Sequence, residues 1–170
     1  MNAKQLAKLI ALVAITFGIC FGLLVLSDGA STQVFEEMLS AFLVVATFLV
    51  TLSVAMFTYV DNISKDLVEL RNEVPRDKLN NVIDQLSSLK REVVSNGGLI
   101  VALVILERTT KGIAVYQLAY YQDEMQAMIS YIALSLRFSF FCVSIFAASM
   151  QLNGFIIASQ YRDIIAKNRK

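Results

Sequence analysis

The sequence predicts an all-α integral membrane protein with four transmembrane helices and a cytoplasmic helical, coiled-coil-like hairpin between spans two and three. Three observations carry this. Residues 9–26, 38–60 and 138–158 run for eighteen, twenty-three and twenty-one positions without a charge. A helix needs about 20 apolar residues to cross the hydrocarbon core, so each stretch qualifies as a span. The polar segment 61–96 keeps apolar residues at helical spacing, and bases are unevenly shared among the connecting segments, which orients the crossings.

Span one is 9–26. Lys4 and Lys8 ahead of it resemble the basic start of a secretory signal, but eighteen uncharged residues exceed the usual apolar run of about 7–15. Gly18 and Gly22 make a small-xxx-small pair, the spacing that lets two backbones approach in lipid, and they are expected on an oligomer seam. Residues 27–37 hold three acids and no base and read as an outer loop.

Span two, 38–60, carries Ser40, Thr47, Thr51 and Thr58 along one face. A span with a hydroxyl stripe turns it toward protein or water. Packing in an oligomer seam and lining of a narrow pore both account for it.

The hairpin occupies 61–96. Ile63, Leu67, Leu70 and Val74 recur at spacings of four, three and four, and after Pro75 the pattern resumes with Leu79, Val82, Leu86, Leu89 and Val93. These are two short coiled-coil-like seams. Pro75 disfavours helix at the residue before it and suits the first turn of a new one. The arms come to about 20 and 30 Å at the helical rise. Two narrow stripes can satisfy each other within one hairpin. Leu67, Leu70, Val74, Leu79, Leu86 and Leu89 are otherwise the candidates for docking a cytosolic protein. Six bases against seven acids in this segment make no surface for nucleic acid.

Span three is the short stretch 93–107. Arg91 and Arg108 are seventeen residues apart, about 25 Å of helix, and long basic side chains can snorkel outward at both ends. A rival span at 94–118 places Glu107, Arg108 and Lys111 inside the bilayer, at a cost unless they are paired or wetted. With the short span, 108–137 becomes an extracytoplasmic interfacial helix. Leu118, Tyr121, Met125, Met128 and Ile132 share helical spacing there, and Tyr116, Tyr120 and Tyr121 suit the headgroup layer. Arg137 is either an interfacial anchor or a buried partner for Glu107. Span four, 138–158, places Ser144 and Gln151 on one face as further seam residues, and 159–170 is a basic cytoplasmic tail. With both termini cytoplasmic, Lys and Arg divide twelve inside to three outside, as the positive-inside rule requires.

The chain has no histidine, which removes the commonest general base and most zinc sites. Cys20 and Cys142 lie inside spans with no ligand spacing, and no glycine-rich phosphate loop is present. The expectation is a non-enzyme with no catalytic residue, cofactor or metal. Three roles fit: a sensing or anchoring subunit of the bacterial inner membrane, a pore-former of the holin kind, and a membrane immunity or exclusion protein.

Four spans, a small outer face and helical extensions after span two and before span three resemble the KwaA family, the membrane subunits of Kiwa antiphage systems. The likeness covers the whole chain as layout and rests on no sequence motif. It implies a homotetramer, detection of phage attack at the membrane, and a cytosolic DNA-binding partner. The same layout is compatible with proteins of the colicin-immunity kind.

Overall fold

The computed structural model describes residues 3–69, 76–118 and 123–168. Those residues form five helices and no strand: α1 Ala3–Leu26, α2 Thr32–Ser40, α3 Phe42–Glu69, α4 Arg76–Leu118 and α5 Asp123–Asn168. Three stretches among them are long and apolar enough to cross a membrane: Ala7–Leu26, Thr32–Leu67 and Met125–Gln160. Large apolar side chains are exposed along each, including Ile15, Ile19, Val44, Phe48, Val54 and Ile156. A helix in water turns such residues inward; an outer surface this apolar suits hydrocarbon.

α1 ends in a two-bond cap. Gly29 N–H donates to Leu24 C=O (3.0 Å) and Asp28 N–H to Val25 C=O (3.3 Å), with Asp28 at φ 47° and Gly29 at φ 79°. This is the Schellman pattern, closed here with aspartate in the left-handed position, one of the few side chains that tolerates it. The Tyr131 hydroxyl lies where a Gly29 side chain would begin, so both backbone conformation and space require glycine.

Residues 32–37, expected as part of an outer loop, are instead the first turns of α2. The reason is a buried pair four residues apart, Phe35 and Leu39, with Phe35 edge-on to Phe138 at 4.9 Å. An acidic composition does not stop a helix that has one apolar face to bury.

The separate interfacial element expected over 108–137 is not observed. α4 continues without a break through Glu107, Arg108 and Lys111 to Leu118, while α5 runs unbroken from Asp123 through Arg137 to Asn168. No proline follows Pro75, and Gly112 costs a helix interior only about 1 kcal/mol. Pro75 itself, with Leu70 and Val74, lies outside the described residues, as do Tyr120 and Tyr121.

The chain forms two compact units. The first comprises residues 1–48 and 99–146. Its core gathers Leu24, Leu39, Ile100, Leu103 and Leu134 with an aromatic group in which Phe42 meets Phe141 edge-on at 5.5 Å. Ser135 and Ser139 are fully buried there, and each donates its hydroxyl to the carbonyl four residues back, at 2.7 and 2.8 Å. With the donor satisfied on its own helix, a serine serves as a small spacer in the core.

The second unit comprises residues 49–98 and 147–170. Val60, Ile63, Leu67, Leu86 and Ala158 form one buried cluster, with Tyr59, Val82, Ile83 and Leu89 packed against it. The apolar stripes of α3 and α4 therefore do meet each other, and α5 joins them through Ala158. At Gly154 of α5 a Cβ would stand 2.5 Å from Leu89 Cδ1, the far end of a flexible side chain of α4, so the two helices lie close there.

Candidate functional site

α4 places Glu107 and α5 places Arg137 on facing sides of the first unit's core. Arg137 Nε donates to Glu107 Oε1 at 2.7 Å, with Glu107 1% exposed and Arg137 9% exposed. The second oxygen, Glu107 Oε2, is buried without a hydrogen bond. Arg108 Nε stands 3.3 Å from it, close enough for ionic attraction but off the hydrogen-bonding direction. Of the two readings of Arg137, the geometry is that of the paired one. Arg108 and Lys111 are exposed, as interfacial cations would be.

A pair of this kind is a constraint more than a source of stability. Desolvation offsets much of the attraction, yet removing one partner strands the other charge, at a typical cost of about 3–5 kcal/mol. Glu107 and Arg137 therefore fix the rotation of α4 and α5 about their own axes.

The second unit holds a neutral counterpart. Gln151 Oε1 accepts from Ser53 Oγ at 2.9 Å, and Gln151 Nε2 donates to Val93 C=O at 3.3 Å. Ser53 also donates to Leu49 C=O at 2.8 Å, so its one hydroxyl proton chooses between two acceptors. One glutamine thereby links α3, α4 and α5. Asn96 Nδ2 is buried there without a hydrogen bond.

Charges flank the apolar cluster of this unit. Asp61 is bound by Lys65 at 2.7 Å on its own helix and by Lys90 of α4 at 2.6 Å. Arg162 of α5 stands over the Tyr59 ring at 5.5 Å from its centre, and Tyr59 in turn packs on Phe155 at 5.0 Å.

The remaining residues singled out by the sequence divide clearly. Gly18 and Gly22 have open space where a side chain would begin. Ser40, Thr47, Thr51 and Thr58 are exposed, and Ser40, Thr47 and Thr58 donate to carbonyls of their own helices at 2.7–3.0 Å. Ser144 and Gln151, expected on an oligomer seam, are instead buried inside the protomer at 0% and 2% exposure. Leu67, Leu86 and Leu89, expected to dock a partner, are occupied by the chain's own cluster. Leu79 lies on α4, and its side chain is outside what is described. Sequence reasoning missed Ser53, Asp61 and Lys90. For Asp61 a signal existed, since it is the first charge after an uncharged stretch; for Lys90, followed by Arg91 and Glu92, there was none. For Ser53 there was none, since it is one of many small polar residues in spans.

Among the described residues, no group of three or more acidic, cysteine or histidine side chains gathers to hold a metal, and both cysteines are free thiols. No family model, curated protein or solved structure matches the chain.

Proposed function

We propose that the protein is a membrane sensor or anchor subunit without catalytic chemistry, acting in the bacterial inner membrane, self-associated, and engaging a cytosolic effector. In this reading the chain crosses four times with both termini cytoplasmic, the short third crossing being the 93–107 part of α4. If the likeness to KwaA holds, the setting is antiphage defence, the oligomer a tetramer and the effector a DNA-binding protein. The chain itself touches no nucleic acid.

One observation carries the reading. α3 and α4 extend past Val60, the last uncharged residue of span two, and close on each other through Ile63, Leu67 and Leu86. A helical projection whose apolar seam is already filled has its polar exterior left for recognition. Asp66, Asp84, Ser87, Ser88 and Arg91 are exposed on that exterior. Docking is accordingly assigned to this charged face rather than to the leucines.

A second reading has an observation of its own. The exposed Thr47, Thr51 and Thr58 of α3 would line a narrow pore if copies assembled around them. The two separate in one experiment, a phage-protection assay with membrane potential recorded during infection. For the anchor, Asp84→Arg with Arg91→Glu abolishes protection at normal membrane levels, and Thr47→Val with Thr51→Val changes little. Loss of depolarisation in the threonine variant, with the charge variant still protective, would replace the anchor by the pore.

A further inference from the structure

The uncharged stretch of span two ends at Val60, and the apolar run of span four ends at Ala158, ahead of Ser159, Gln160, Tyr161 and the first charge at Arg162. Both residues belong to one buried cluster, so in the second unit the ends of the two apolar stretches pack together. Close to them stand bases from three helices. Lys65 and Lys90 share the single carboxylate of Asp61 at 2.7 and 2.6 Å, and Arg162 lies over Tyr59. Two ammonium groups on one carboxylate leave one positive charge over within that triad, and Arg162 is a further base on α5. The Lys65 side chain is 71% exposed. Among the described side chains, Asp66 is an exposed acid beside Lys65, one residue on and about 100° round the helix from it.

These bases are held rather than loose. Asp61 positions both lysines, and the Tyr59 face, backed by Phe155, positions the guanidinium. Much of the side-chain ordering that binding an anion demands is therefore already in place. At the level where an apolar surface gives way to water, the anion a membrane presents is a lipid phosphate.

We propose that Lys65, Lys90 and Arg162 form a rim that binds the phosphate of an anionic phospholipid headgroup. The partner is the lipid, not free phosphate: the apolar surface beside the rim receives the acyl chains. The proposal rests on the membrane placement above and not on the sensor role. A chain released from membranes by alkaline carbonate without detergent would remove the placement itself, whatever the rim binds.

The test uses the full chain in detergent micelles, with native mass spectrometry after addition of phosphatidylglycerol or zwitterionic phosphatidylethanolamine. The wild type should retain phosphatidylglycerol in preference. Each charge near a membrane surface changes anionic-lipid binding about fivefold, so Lys65→Gln with Arg162→Gln should lower retention about twenty-fivefold and leave phosphatidylethanolamine unchanged. Lys65→Arg with Arg162→Lys should keep it, and Lys111→Gln should have little effect. Equal retention of both lipids by the wild type would overturn the proposal. So would wild-type binding by the glutamine variant, an equal loss in Lys111→Gln, or a loss in the charge-keeping variant. Displacement of the lipid by millimolar inorganic phosphate would reassign the rim to the free anion and also overturn it.

Discussion

Glu107 and Arg137, thirty residues apart in sequence, meet at 2.7 Å in a core where the carboxylate is shut off from solvent. Either residue alone is an expense to an apolar bundle. Together they set which faces of α4 and α5 look at each other. Glu107→Gln or Arg137→Gln should each lower stability by about 3–5 kcal/mol, since each strands the remaining charge. Glu107→Leu with Arg137→Leu should be markedly more stable than either single variant. Circular-dichroism melts in detergent, arranged as a double-mutant cycle, give the coupling directly. Additive losses would mean that the two side chains act independently.

The apolar cluster of the second unit makes a different demand. Leu86 is 1% exposed against Ile63, Leu67 and Ala158. Leu86→Ala should cost about 2–5 kcal/mol by leaving a cavity. The loss belongs to folding rather than to partner binding, so it should appear in the melting of the purified protein with no partner present.

Gln151 has two hydrogen-bonded partners, and Ser53 keeps a carbonyl on its own helix if the glutamine is removed. Membrane hydrogen bonds average about 0.6 kcal/mol in measured cycles. Gln151→Leu should therefore cost only about 1 kcal/mol, and Ser53→Ala less. Reversible unfolding in mixed micelles resolves the two. Losses as large as those at Glu107 would show that the three-helix link is cooperative.

At the end of α1, Gly29 combines a φ of 79° with the Tyr131 ring in the space a side chain would use. Gly29→Ala should be destabilising on both counts. Placing it in a Tyr131→Ala background should remove the collision and leave the left-handed strain, about 1–2 kcal/mol. Thermal melts of the four proteins separate the two contributions.

Topology is tested by accessibility. Gln33 on α2 and Ser87 on α4 are both exposed, and neither takes part in the Ser27–Ser31 contact at the turn. Gln33→Cys and Ser87→Cys, with Cys20 and Cys142 replaced, should react with an impermeant maleimide from opposite sides of the membrane. Labelling from one side only would exclude the four-crossing arrangement.

Much of the helical architecture was legible in the residues. The period of Ile63, Leu67, Leu86 and Leu89 called for a cover, and closure of α3 on α4 was one of two readings of it, docking of a partner being the other. The role of Ala158 was not legible. An alanine among many small residues carries no mark of the helix it will touch. Glu107 and Arg137 were visible as unusual charges, and their pairing was one of two readings. Local sequence cannot rank them, since a basic residue at the edge of a span serves equally well snorkelled or paired. Gln151 was read as facing a second copy because a polar face in lipid needs a partner; its partners proved to be Ser53 and the Val93 carbonyl.

By itself the sequence determined what each segment can be. Uncharged length is matched against the thickness of hydrocarbon, helical period against a face to be buried, and proline against a missing donor, all within a few turns of chain. What only the tertiary structure decided is which faces meet. It carried α4 unbroken through Glu107 to Leu118, turned Glu107 onto Arg137, put Gln151 and Ser144 inside the protomer, and brought Lys65 and Lys90 onto Asp61 and Arg162 over Tyr59. The physical reason is that each of these depends on how a helix is rotated about its axis. That rotation is settled by the sum of contacts with distant helices, and an ion pair or a glycine seat contributes only once the helix beyond it has arrived.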